Sequence, residues 1–238
     1  DVTGSISSVN ASDLENRTIT TVDNGLQGKT AGVQVISTSG APGAENSIRI
    51  RGFSSNSDST PLYVVDGLRT KNINYLDPSD IESMEVLKDA ASAAIYGAQA
   101  GNGVVLITTK KAKKGIRRIT YDVSYSIQKV ARIPEVLNAQ EYMQWVKEGN
   151  LVSQDRINAY YDGHTDTDWA DVAFEDGYMM RHNLAFQGAN DAGSLYASFS
   201  YVGNDGPVIG SEDINKRLTG TVNADYNISK WLKFSTNN

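Results

Sequence analysis

The sequence contains no cysteine, which excludes a disulfide framework, a thiolate nucleophile and a cysteine-based zinc site. Histidine is nearly as scarce. His164 and His182 are the two in the chain, and neither has a ligand-spaced partner for zinc. Long hydrophobic runs are missing too: Val104–Ile107 is typical of what the chain offers, whereas a membrane-crossing helix needs roughly 20 apolar residues. A barrel of crossing strands stays open, because such strands alternate and average out as polar. Nor is there an excess of positive charge. The net charge is -6 and the pI near 5.0, so a basic face for neutralising phosphates is lacking and no nucleic-acid partner is expected. The two short basic runs, 110–114 and 117–118, have no interleaved aromatics and read as solvated or membrane-flanking stretches. No secretory signal is visible at Asp1, so such a leader is expected to have been removed or to lie upstream.

What is present falls into two grammars within 238 residues. To about Lys114 the chain reads as mixed α/β. A short helical stretch at 25–30 runs into the strand-like Val33–Ile36, and Ser39–Gly43 is a turn cluster. Residues 47–52 alternate strictly, the mark of a half-buried strand. Residues 61–65 then form a strand entering a tight turn at Asp66-Gly67. Residues 77–80 read as a turn or helix start leading to 81–87. Asp89 is placed to cap an alanine-rich helix over 90–96, which Gly97 ends. Gly101-Asn102-Gly103 turns the chain into a buried strand at 104–109.

From about Ile119 the pattern changes. Ile119, Tyr121, Val123, Tyr125 and Ile127 are apolar, and Thr120, Asp122, Ser124, Ser126 and Gln128 between them are polar. The alternation returns at 195–201 and 218–228, more weakly at Leu184 and Phe186, and begins again at 231–235. Such runs approach the 9–11 residues of a tilted membrane-crossing strand. The connections go long (131–178), short (189–192), long (203–213), short (229–230). That is the asymmetry of an outer-membrane barrel with long outer loops and tight periplasmic turns. Its first strand would run outward. The rival is a soluble antiparallel β-sandwich, a secreted binding module, whose strands alternate for the same reason but which would carry no lipid-facing aromatic girdle. About five strands are too few for a closed barrel, which needs at least about eight.

Catalytic and phosphate motifs fail on inspection. Gly28-Lys29-Thr30 mimics the end of a P-loop, but Asp23 stands where the first glycine belongs. Gly97, Gly101 and Gly103 follow a helix instead of opening one. Asp162, Asp166, Asp168 and Asp171 surround His164 in an acidic stretch that lacks the glycine and distal glutamate of a calcium loop. Without a nucleophile elbow, triad or metal signature, no enzyme activity, cofactor or metal is expected.

Several long segments occur together in a recognisable order: 26–35 (LQGKTAGVQV), 48–52 (IRIRG), 61–67 (PLYVVDG), 80–97 (DIESMEVLKDAASAAIYG) and 101–111 (GNGVVLITTKK). They resemble the plug signatures of the SusC/RagA family of TonB-dependent outer-membrane transporters. Asp168-Trp169 and the strands after it look, more loosely, like that family's early barrel. The resemblance implies an α/β plug over 1–115, followed over 116–238 by the first strands of an incomplete antiparallel transmembrane β-barrel. It implies import of oligosaccharides or peptides across the bacterial outer membrane, with the plug gating the lumen, and a SusD-like surface lipoprotein as partner. Energy would come from TonB-ExbB-ExbD through a TonB box upstream of Asp1–Gly4, without which this chain should not couple. A siderophore or cobalamin receptor of the same superfamily is the alternative within transport. Asn56 and Asp58 at the polar tip 53–60, with Arg69 and Asn72 in the segment 69–75, are the candidate substrate-binding residues, because polar side chains there would face outward on the plug.

Overall fold

In the computed structural model, which describes residues 6–15, 19, 21–52, 59–89, 93–133, 135–210 and 213–237, the chain builds two five-stranded sheets and a separate two-stranded hairpin. The first part contains β1 (Ile6–Asn10), α1 (Ala11–Glu15), β2 (Val33–Ser37), β3 (Asn46–Ile50), β4 (Leu62–Val65), β5 (Leu68–Thr70), β6 (Ile81–Leu87) and β7 (Val104–Thr109). The second contains β8 (Arg117–Gln128), α2 (Ala139–Glu148), α3 (Gln154–Tyr160), α4 (Trp169–Ala173), β9 (Gly177–Ala189), β10 (Gly193–Asp205), β11 (Ile214–Asn227) and β12 (Lys233–Thr236).

The first sheet has the order β1-β6-β7-β4-β5, with β4 and β7 parallel and the other pairs antiparallel. Its middle strand β7 reads Val-Val-Leu-Ile without polar alternation because both of its faces are covered. On one side Ile48 and Ile50 of the β2–β3 hairpin pack with Ile81, Met84 and Ile107. On the other Val64, Leu87 and Val104 meet Ala93 and Ala100. The Asp66-Gly67 turn joins β4 to β5 with positive φ at both residues, 48° and 89°, as a two-residue hairpin turn requires. The expected helix at 90–96 is reduced. Residues 90–92 lie outside the described residues, 94–96 form a single 3-10 turn, and Gly97 stops it at φ 77°. The short helical stretch expected at 25–30 lies slightly earlier, as a 3-10 turn over Asp23–Leu26.

The second sheet is an antiparallel meander, β8-β9-β10-β11-β12, with β8 to β11 running 12 to 14 residues each. Those strands are long enough to cross a hydrocarbon core at a tilt. The alternation sorts side chains onto two faces. Ile119, Tyr121, Leu184, Phe199 and Leu218 stand on the outer face and are exposed, Ile119 to 71%. Asn183, Ser200, Thr221 and Asn223 point inward and are buried. The outer face ends in aromatics at both levels: Tyr125 stacks on Tyr178 at one, and Tyr226 stands opposite Phe234 at the other. A sandwich would bury its apolar face against a second sheet; here the exposed face is apolar and the covered face polar, as in a barrel wall. The wall is not closed within this chain.

Helix α2 opens the long 129–176 connection. Asn138 and Glu141 form a reciprocal capping box there.

Candidate functional site

The polar inner face of the wall is covered by the first part of the chain, and the contact is made chiefly by one turn. Pro78 starts a 3-10 turn over Pro78–Asp80, where its fixed φ and missing N–H cost nothing. Asp77 caps it, its Oδ1 accepting the Ser79 N–H at 2.8 Å. The turn brings two carboxylates to the wall, and both are buried, Asp77 to 0% exposure and Asp80 to 1%.

Each carboxylate is met by successive rows of the wall. Arg181 of β9 donates through Nη2 to Asp77 Oδ1 at 2.6 Å and also bonds Ser79 Oγ, while the Ser200 hydroxyl of β10 donates to Asp77 Oδ2. Asp80 accepts from Tyr196 Oη–H at 2.8 Å and from Thr221 Oγ1–H at 2.7 Å. Below them Asn223 Nδ2 of β11 donates to Thr109 Oγ1 at 2.8 Å and to the Lys110 carbonyl at 2.9 Å. Above them Arg217, which shares a row with Arg181 across Val202, donates to the Asn74 carbonyl at 3.0 Å. The seam therefore runs over consecutive inward rows of three strands.

Burial by itself would push the Asp77 carboxyl up. The Arg181 guanidinium and the hydrogen bonds from Ser200 and Ser79 outweigh that and hold it below the ordinary carboxylate range. A buried pair of this kind adds little net stability relative to an apolar substitute, but losing one partner strands the other charge.

Sequence reasoning missed this site. It read 77–80 as a turn and left Arg181 and Tyr196 without a role. One signal was available: two aspartates flanking Pro-Ser, and an arginine on the inward phase of a strand.

The residues chosen from the sequence behave differently. Asn56 and Asp58 lie outside the described residues. Arg69 is exposed on β5, opposite Val64. Asn72 is also exposed, but its amide is engaged, Nδ2 donating to Glu45 Oε1 at 3.0 Å, where Asn74 Nδ2 arrives too at 2.8 Å. Among the described residues no hydrogen bond or ion pair joins Arg69 to Asn72. The acidic stretch around His164 is spent on local structure. Asp162 accepts from the His164 and Thr165 N–H groups at 2.9 and 2.8 Å, Asp166 from the Ala139 N–H at 2.9 Å, and Asp168 caps α4. The Thr165 hydroxyl, which donates to Asp162 Oδ2 at 2.5 Å, and then the Thr165 and His164 N–H groups draw the Asp162 carboxyl down to about 2. Among the described residues no group of three His, Asp or Glu side chains is placed to hold a metal. His182 lies on the outer face, where Tyr121 Oη reaches its Nδ1 at 2.6 Å.

Residues 1–104 match the family described as the TonB-dependent Receptor Plug Domain. The chain is 38% identical over its whole length to TonB-dependent receptor P3 of Formosa agariphila, of which it covers 23%. It is 36% identical, again over its whole length, to TonB-dependent receptor SusC of Bacteroides thetaiotaomicron, of which it covers 24%. The chain thus spans about a quarter of the length of these relatives. Among solved structures it is similar to the RagAB peptide importer in its closed-closed state, with TM-score 0.86 and 30% identity over 99% of this chain and 30% of that one. The siderophore receptor PirA from Pseudomonas aeruginosa shares the fold at TM-score 0.56 and 20% identity, covering 97% of this chain and 33% of that one.

Proposed function

This chain belongs to the TonB-dependent receptors, in their SusC/RagA branch, and we propose on that premise that the protein it represents imports oligosaccharides or peptides across the bacterial outer membrane, with residues 1–115 as the plug and 116–238 as the first part of the barrel. The observation that carries the reading is the buried polar seam centred on Asp77 and Arg181. A gate must close the lumen and still be able to move. Hydrogen bonds between plug and wall suit both needs, since each one to a charged carboxylate contributes only about 1.5–3 kcal/mol net and can be exchanged for bonds to water when the plug shifts. An apolar seam of the same area would resist wetting.

In this reading energised TonB, with ExbB and ExbD, draws on a box upstream of this chain, and a SusD-like surface lipoprotein delivers solute from outside. Asn56, Asp58, Arg69 and Asn72 would meet the solute on the outward side of the plug. The plug–wall contacts do the chemistry of gating: Asp77 and Asp80 hold the plug to three wall strands, and their donors take up water as it leaves.

The test is uptake by cells making the full-length receptor with its partner lipoprotein, before and after collapse of the inner-membrane proton gradient. Uptake that vanishes with the gradient, together with recovery of the lipoprotein alongside a tagged receptor, is expected. Uptake indifferent to the gradient would overturn the reading. Unchanged uptake in Asn56, Asp58, Arg69 and Asn72 alanine variants would remove those residues from the solute path without touching the rest.

A further inference from the structure

A cavity of about 880 Å3 separates the plug from the inner face of β8 to β10, beside the Asp77 seam. Its lining is positive. Lys110, Lys111, Lys113, Arg118 and Arg181 face it, against the carboxylates Glu82 and Asp122. The chain as a whole has a net charge of -6, so composition alone would not place this excess there. Lys113 Nζ lies 2.8 Å from Glu82 Oε1, and Arg181 is committed to Asp77. Lys111 is within electrostatic reach of Asp225, but that carboxylate is already held by Lys233 at 3.2 Å and by the Ser235 hydroxyl at 2.6 Å. Arg118 opens the inward face of β8, opposite Gln187.

We propose that this chamber receives the anionic group of a passing solute, a carboxylate or a sulfate, with Arg118 and Lys111 as the residues that engage it. The inference rests on the transport reading, which makes the lower wall, where β8 begins, the periplasmic end of the lumen. A cation cluster at that end favours an acidic solute where it must leave the barrel. Low-dielectric walls concentrate the field of the charges, and a guanidinium offers a carboxylate or sulfate two parallel N–H donors.

The experiment is equilibrium binding to purified full-length receptor of three probes: a sulfated disaccharide, its unsulfated parent and triglutamate. At least one acidic probe is expected to bind about tenfold more tightly than the neutral sugar, and which one does so tells whether the acid comes on a sugar or on a peptide. Arg118→Gln with Lys111→Gln should abolish that preference while leaving the neutral probe unaffected, and Arg118→Lys should restore part of it. Equal binding of all three probes, or a preference that survives the double variant, would overturn the assignment. Gradient-dependent uptake with no charge preference would sink the chamber alone. A charge preference in a receptor whose uptake ignores the gradient would sink the transport reading alone.

Discussion

Inside the plug the sealed side chains are Leu26, Ile81, Met84 and Ile107, all within 2% exposure, whereas where the plug meets the wall they are Asp77, Asp80, Tyr196 and Thr221. The first set coheres because apolar surface leaves water, at roughly 25 cal/mol per Å2, with no demand on direction. The second coheres only while each oxygen keeps its donor. A plug built this way holds its own shape by the less reversible interaction and its place in the wall by the more reversible one. Gating would then move the body before it dissolves it.

The largest expected effect strikes the wall seam. Arg181→Met leaves Asp77 charged, buried and unpaired, and should cost about 3–5 kcal/mol. Chemical denaturation of the full-length receptor, followed by a fluorophore on the plug, reads this loss. Adding Asp77→Asn should recover most of it, because no charge is then stranded; a double variant as unstable as the single would mean that Arg181 acts through packing. Met84→Ala probes the other interface. It opens a cavity in the plug core and should cost about 2–5 kcal/mol, with plug–wall attachment unaltered when assayed by protease access to the seam. Tyr196→Phe is smaller. It removes one donor from buried Asp80 and should cost about 1–3 kcal/mol.

The mildest probe is pH, and it sets the two interfaces against each other. Asp23 is buried beside the core with an oxygen that lacks a partner among the described residues, and burial, then Glu45, raises its carboxyl to about 6. The folded plug therefore binds this proton more tightly than the unfolded chain, whose aspartate titrates near 3.8. Stability from Asp23 is full below that value and is lost as pH rises toward 6. Asp77 has the opposite sign. Its carboxyl is held low, so its contribution is present above the unfolded value and is lost as pH falls through the folded one. Asp23→Asn should flatten the decline on the alkaline side of that window and leave the acid side unchanged, as measured by thermal unfolding from below the ordinary aspartate value up to about pH 7. Loss of the acid side instead would mean that the two assignments are exchanged.

Much of the fold was legible because its causes are local. Alternation over 119–127 and 218–228 marks wall strands, since neighbouring side chains on a strand must face opposite ways. Asp66-Gly67 marks a hairpin because positive φ suits those residues. The strand β9 was half hidden: its 13 residues include outward His182 and inward Met179, which break the pattern that Leu184 and Phe186 begin. Only its neighbour explains the histidine, because Tyr121 on β8 supplies the partner that a polar ring on an apolar face needs. The candidate solute residues were chosen on polarity alone, which cannot distinguish an outward-facing amide from one bonded to Glu45, as Asn72 is.

By itself the sequence determined the plug signature, the two-faced strands and the turns between them, because each depends on residues within a few positions of one another. The tertiary structure decided which polar residues matter. Asp77 and Arg181 are 104 residues apart, and nothing in either neighbourhood names the other. The parallel pairing of β4 with β7, the register that sets Arg181 beside Arg217, and the positive chamber below them all arise when separate segments are brought to one place. Burial then converts ordinary surface residues into a seam, because a charge removed from water must find its partner in the protein.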